Sequence, residues 1–126
     1  MSGPAVLIAD DESLLRRLMK RVLEASGLRV EAVGDGDEAL AALAAAPDEI
    51  AVVVLDLSMP PYGGLETMQR LLEIRPDVGV VITSGLPPEA AMDALLARHR
   101  AIFLQKPFAP EALRRAVHDR LARRCR

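Results

Sequence analysis

Residues 52–64, VVVLDLSMPPYGG, carry a run of β-branched and aliphatic side chains, then Asp56, then a loop rich in proline and glycine. Unbroken apolar runs belong to strands buried on both faces of a parallel sheet. A carboxylate at the end of such a strand is costly to desolvate unless a charged group meets it there. The strand read here is 50–55, and the same design recurs along the chain. AVLIA (5–9), VGVVIT (78–83) and AIFL (101–104) are further apolar runs read as strands, while RVEAV (29–33) alternates as a more exposed edge strand does.

Helical periodicity fills the gaps between these runs. The spacing predicts helices over 13–26, 36–46 and 64–74, from about Pro87 to Arg98, and from Pro110 onward. Gly27 is placed to close the first helix in the left-handed conformation, Pro47 stops the second, and Pro110 suits the first turn of the last. Five strands alternating with helices mean right-handed βαβ units and a parallel α/β sheet. In the first helix Leu14, Leu15, Leu18, Met19, Val22 and Leu23 occupy one half of the circumference, with Arg16, Arg17, Lys20, Arg21 and Glu24 on the other. That apolar arc is wider than a core-facing stripe requires and leaves hydrophobic residues at its margins.

At 126 residues the chain fits one domain, taken as 1–126, with no repeat or internal linker. A net charge of −2 gives no electrostatic case for nucleic acid or a membrane surface. No apolar run approaches the length of a membrane span, and MSGPAVLIADDE lacks the basic start of a signal peptide. Cys125 is the one cysteine, which excludes an intrachain disulfide and fits a reducing, cytoplasmic setting.

In open α/β sheets ligands bind outside the carboxyl ends of the strands, where the strand order reverses. The first strand delivers Asp10 and Asp11 there and the third delivers Asp56. If the first and third strands are neighbours, three like charges meet in one pocket and repel, and a cation relieves them; oxygen-only ligands with room for water suit Mg2+. The fourth strand adds the hydroxyls of Thr83 and Ser84, and LQKPF at the end of the fifth adds Lys106. A metal site, a lone carboxylate, a hydroxyl and a fixed lysine are the parts needed to transfer a phosphoryl group onto an aspartate.

On these residues the chain resembles the receiver domain of two-component response regulators along nearly its whole length. The paired acids Asp10 and Asp11, the D-x-x-M-P context of Asp56, Ser84 before Gly85, and Lys106–Pro107–Phe108 carry the resemblance together, in order and on the expected strands. It implies a flavodoxin-like (βα)5 fold with strand order 2-1-3-4-5 and helices on both faces. It also implies a phosphoryl group received by Asp56 from a histidine kinase or phosphotransfer domain. Mg2+ would be held directly by Asp11, Asp56 and the carbonyl of Ser58, with Asp10 acting largely through water. Ser84 and Lys106 would be the catalytic partners, Ser84 and Phe103 the switch pair, and the Lys106–Pro107 bond cis. The stretch TSGLPPEAAM…FLQKPFAPEALRRAV is particularly similar to receivers of hybrid sensor kinases. Because members of the family often dock their histidine donor beside the pocket, Leu14 and Leu15 are expected to contribute to that surface.

Singly, each residue has an ordinary explanation: Asp11 or Ser13 as a helix cap, Ser84 likewise, Lys106 as a solvated lysine, Phe103 as core. The basic face 16–21 reads as solvated helix, and His99 and His118 as surface residues without ligand spacing. The chain departs from the family pattern in four places: Phe103 in place of tyrosine, Pro61 and Gly63 in the loop after Asp56, ARHRAIF without a glycine before the fifth strand, and Pro87–Pro88 at the start of the fourth helix. These bear on output rather than on the acceptor site.

Other functions fit less well. An aspartyl-nucleophile phosphatase wants a second acid two residues after the nucleophile, where Ser58 stands, and a flavin carrier wants hydroxyls after the first strand and aromatics, which ADDES and an aromatic content of 2% do not supply. The phosphate loop G-x-x-x-x-G-K-[ST] is absent. The chain is therefore expected to be a signalling module rather than a conventional enzyme. The sequence runs out soon after the fifth helix, so no output domain is expected within it. A stand-alone regulator and a receiver of a larger kinase both stay open.

Overall fold

A computed structural model of the chain describes residues 4–58, 64–85 and 90–123. Five parallel strands, β1 (Ala5–Ala9), β2 (Arg29–Val33), β3 (Ile50–Asp56), β4 (Gly79–Ser84) and β5 (Ile102–Gln105), lie in the order β2-β1-β3-β4-β5. Helices α1 (Ser13–Ala25), α2 (Gly36–Ala45), α3 (Gly64–Ile74), α4 (Ala90–His99) and α5 (Pro110–Arg123) connect and follow them. The expected elements are all present, with ends displaced by a residue or so, as helix and strand ends commonly are; the start expected for the fourth helix at about Pro87 lies outside the described residues. Two displacements matter. Pairing of Asp56 with Thr83 and of Ser84 with Gln105 carries β3 and β4 one residue further than expected, so Asp56 and Ser84 are the last residues of their strands. Pro61, Gly63, Pro87–Pro88 and Cys125 lie outside the described residues.

Alternation along each strand sends successive side chains to opposite faces. Val6, Ile8, Val52 and Val54 pack against Met19 and Leu23 of α1 and Leu113 and Val117 of α5. Leu7, Ala9, Val53 and Leu55 pack against Ala39, Leu43, Met68, Leu71 and Leu96 of α2, α3 and α4. Each such side chain taken fully out of water contributes on the order of 2 kcal/mol, so the two layers hold the sheet rigid beneath its rim. β1, β3 and β4 are buried throughout, while β2 alternates as an edge strand should.

The over-wide apolar arc of α1 resolves as expected. Met19 and Leu23 are buried, whereas Leu14 and Leu18 remain 63% and 48% exposed. Gly27 closes the helix at φ 89°, with the Leu28 amide donating to the Leu23 carbonyl and the Gly27 amide to that of Glu24. This is the paired hydrogen-bond pattern of a Schellman cap, which favours glycine. At the start of α3, Gly64 stands against Leu57, where an added Cβ would meet the Leu57 Cα at 2.6 Å.

Candidate functional site

Because β2 and β3 flank β1, the strand order reverses beside β1, and a crevice opens beyond the carboxyl ends of β1 and β3. Asp10 directly follows β1 and Asp56 ends β3. Each acid is fixed by its own turn. The Glu12 amide donates to Asp10 Oδ1 at 2.8 Å, and the Ser58 amide donates to Asp56 Oδ1 at 3.2 Å. These are the local turns in which an aspartate side chain accepts from the backbone two residues on. The Ser58 hydroxyl adds a second bond to Asp56 Oδ1 at 3.0 Å.

Asp10, Asp11 and Asp56 each present a carboxylate oxygen, and these oxygens lie within 4.8 Å of one another. Asp10 and Asp56 are buried, and Asp11 is exposed at the mouth. Lys106 enters from the end of β5, its amide donating to the Ser84 carbonyl at 2.7 Å. Its ammonium lies 3.2 Å from Asp10 Oδ2, 3.1 Å from Glu12 Oε1 and 3.5 Å from Asp56 Oδ2. The Lys106–Pro107 peptide is cis, as the resemblance implied.

The electrostatics follow from burial. Desolvation, reinforced by the Asp56 charge, raises the Asp10 carboxyl above the usual aspartate value despite the Glu12 amide and Lys106. Burial works against the Lys106 ammonium, yet its contacts with Glu12, Asp56 and Asp10 outweigh it and raise its pKa. One lysine does not balance this pocket. Asp10 Oδ2 and Asp56 Oδ2 are buried and make no hydrogen bond. Two such oxygens beside an exposed third carboxylate are the hard, oxygen-only donor set that fits Mg2+.

The other sequence candidates fall on both faces of β4. Register pairs Ile82 with Phe103, and Ser84, two residues on from Ile82, shares their sheet face. Phe103 is half-buried against the α2–α4 side of the core. Thr83 points to the other face, fully buried, its hydroxyl without a hydrogen bond. Beside the pocket a groove of about 500 Å³ is lined by Glu12, Leu14, Leu15, Leu18, Lys106 and Phe108, with Pro107 between the last two.

Three contacts go beyond the sequence reading. Glu12 was not singled out, yet it holds Lys106. Arg16 is no simple member of a solvated face, since its Nη1 donates to the Asp10 carbonyl at 2.7 Å. Ser58 engages Asp56 through its side chain and amide, beyond the carbonyl role assigned to it. His118 is exposed as expected, with Nε2 3.2 Å from Ser26 Oγ. The acid-before-turn pattern signals the Ser58 and Glu12 amide bonds; the long reaches of Glu12 and Arg16 depend on which strands are neighbours.

Residues 6–118 match the family described as the response regulator receiver domain. The C4-dicarboxylate transport transcriptional regulatory protein DctD of Rhizobium meliloti is 31% identical over 89% of this chain and 24% of its own length. The sensor kinase CckA of Brucella abortus is 32% identical over 96% of this chain and 13% of its own. The chain thus spans a quarter or less of these two curated relatives. The crystal structure of a response regulator receiver protein from Sinorhizobium medicae superposes with a TM-score of 0.83 at 31% identity, covering 97% of each chain.

Proposed function

The chain belongs to the response regulator receiver domain family of two-component signalling, and from that premise we propose that Asp56 is its phosphoacceptor, served by Mg2+ and by a histidine-phosphorylated donor. The observation that carries this reading is the buried Asp56 carboxylate, with Oδ1 engaged by Ser58 and Oδ2 free of hydrogen bonds 3.5 Å from Lys106. Oδ2 is the nucleophile. It forms an O–P bond as the N–P bond of phosphohistidine breaks, and the electron pair leaves with the imidazole. The Ser58 amide and hydroxyl orient the carboxylate, and Lys106 neutralises charge on the transferred group.

Asp11, Asp56 and the Ser58 carbonyl would hold Mg2+, with Asp10 reaching it through water. When bound, the cation supplies charge neutralisation for the phosphoryl oxygens. The Ser84 hydroxyl donates to the phosphoryl group, and its sheet face, shared with Phe103, relays the event toward α4, β5 and α5. Lacking a hydroxyl, Phe103 gains only burial on moving inward, about 1 kcal/mol or less. The two switch states are therefore close in free energy.

The donor, a histidine kinase or phosphotransfer domain, docks in the groove of Leu14, Leu15, Leu18 and Phe108. The whole chain serves as one domain, a cytoplasmic signalling module of the kind found in hybrid sensor kinases rather than a conventional enzyme. Among the described residues no helix is long and apolar enough to cross a membrane. Incubation with acetyl phosphate and Mg2+ tests the acceptor by intact mass. Wild type should gain one phosphoryl group and Asp56→Asn none; equal labelling of both overturns the assignment.

A further inference from the structure

We propose that Glu12 is a positioning residue for Lys106, standing in for the phosphoryl group in the resting protein and giving up the ammonium when Asp56 is modified. The inference rests on the reading of Asp56 as acceptor. It begins with a helix that is not capped. Glu12 occupies the N-cap position of α1 with extended backbone (φ −85°, ψ 105°), and its side chain makes no cap hydrogen bond. N-caps usually spend their side chain on the first helical amides. The Glu12 carboxylate accepts from none of the first amides of α1 and instead accepts from Lys106 Nζ at 3.1 Å.

The ammonium has three N–H donors, and three carboxylates surround it: Glu12 at 3.1 Å, Asp10 at 3.2 Å and Asp56 at 3.5 Å. A phosphoryl group on Asp56 brings a charge of about −1.5 to −2 and strong acceptor oxygens to the same ammonium. One of the three must then yield. Asp10 is fully buried and tied by the Glu12 amide, and Asp56 carries the new group itself. The Glu12 side chain is 63% exposed and returns to water at little cost. Glu12 and Lys106 also line the groove with Leu14, Leu15, Leu18 and Phe108, so the exchange changes the charge of that surface when phosphorylation occurs.

Titration of beryllofluoride with Mg2+ present, on Glu12→Gln and Glu12→Asp, tests this. Glu12→Gln should bind the phosphoryl mimic roughly two- to fivefold more tightly, the size of an exposed ion pair. The gain should shrink as salt rises. Glu12→Asp keeps the charge but is one methylene too short for the contact, and should behave like Glu12→Gln. In a Lys106→Met background Glu12→Gln should change nothing. An unchanged affinity in Glu12→Gln overturns the inference, as does wild-type behaviour of Glu12→Asp or an undiminished gain without Lys106. If the wild type itself fails to load beryllofluoride, the Asp56 reading falls and takes this inference with it.

Discussion

Lys106 Nζ stands 3.2 Å from Asp10 Oδ2, joining the end of β5 to the end of β1 across two intervening strands. Even so, burial wins, and the Asp10 carboxyl is raised above its ordinary value of 3.8. The pocket is held together by the fold against its own charge. Carboxyls perturbed by burial and a neighbouring like charge cluster at functional sites.

Removing that charge should stabilise the protein. A carboxyl whose folded pKa exceeds its unfolded one supports the fold while protonated, and the support is lost as pH rises through the folded value. Asp10→Asn stays neutral at every pH. It should be more stable than wild type at pH 7 without divalent cations, by about 1 kcal/mol. The gap should close as pH falls below 3.8. Lys106→Met should act in the opposite sense: the lysine's raised pKa marks stability present below 10.5 and lost as pH rises through the folded value. Urea unfolding at pH 3, 7 and 11 checks both; a gap for Asp10→Asn that ignores pH would show that charge is not the cause.

Cation binding should reverse the penalty. A ligand that binds only the folded state stabilises it in proportion to the logarithm of its saturation. Mg2+ should raise the wild-type melting temperature by a few degrees, Asp10→Ala should respond less, and Asp11→Ala should not respond. Asp11 is exposed, so its removal leaves the fold intact. A wild-type response from Asp11→Ala would mean the cation sits elsewhere.

Much of this was legible in the residues. The apolar runs at 5–9 and 50–55 and the alternation at 29–33 separated the buried β1 and β3 from the edge strand β2, because burial on one or two faces leaves distinct patterns. The short apolar run of β5 did not reveal that it is the other, half-buried edge, and the strand order itself came from the family resemblance. Asp10, Asp11, Asp56 and Lys106 converge because each stands at or just beyond the carboxyl end of a strand, and those ends share one rim. The over-wide arc of α1 announced the exposure of Leu14 and Leu18. Glu12 and Arg16 were illegible for the opposite reason. Their partners, Lys106 and the Asp10 carbonyl, are reached by flexible side chains across tertiary space, and nothing in local spacing distinguishes them from solvated charges. The one-residue extensions of β3 and β4 also depended on cross-strand pairing rather than propensity.

Gly64 should tolerate no side chain. Its Cβ would meet Leu57 Cδ2 at 2.3 Å and the Leu57 Cα at 2.6 Å, and the latter is backbone that cannot turn away. Leu57 follows Asp56 directly, so the clash should both destabilise the fold and displace the acceptor. Gly64→Ala should lose about 1–3 kcal/mol, the range for overpacking, with weakened Mg2+ binding. Thermal unfolding and Mg2+ titration together check it; wild-type stability would mean that α3 shifts freely.

Leu14→Asp should separate docking from chemistry. Leu14 is 63% exposed, lines the groove beside Lys106 and Phe108, and takes no part in the buried core, so its replacement leaves the fold standing. Exposed apolar side chains clustered beside a reactive pocket are the usual basis of a partner surface. A charge placed in such a contact costs binding on the scale of an interface hot spot, about 2 kcal/mol or more. Transfer from a phosphorylated histidine donor protein should therefore slow by roughly tenfold or more at sub-saturating donor, since about 1.4 kcal/mol is tenfold. Acetyl phosphate is too small to use the groove, and its reaction at Asp56 should change little. Timed labelling with both donors measures the ratio. Equal slowing with both would place Leu14 in the service of the pocket itself, and no slowing with either would move the docking surface elsewhere.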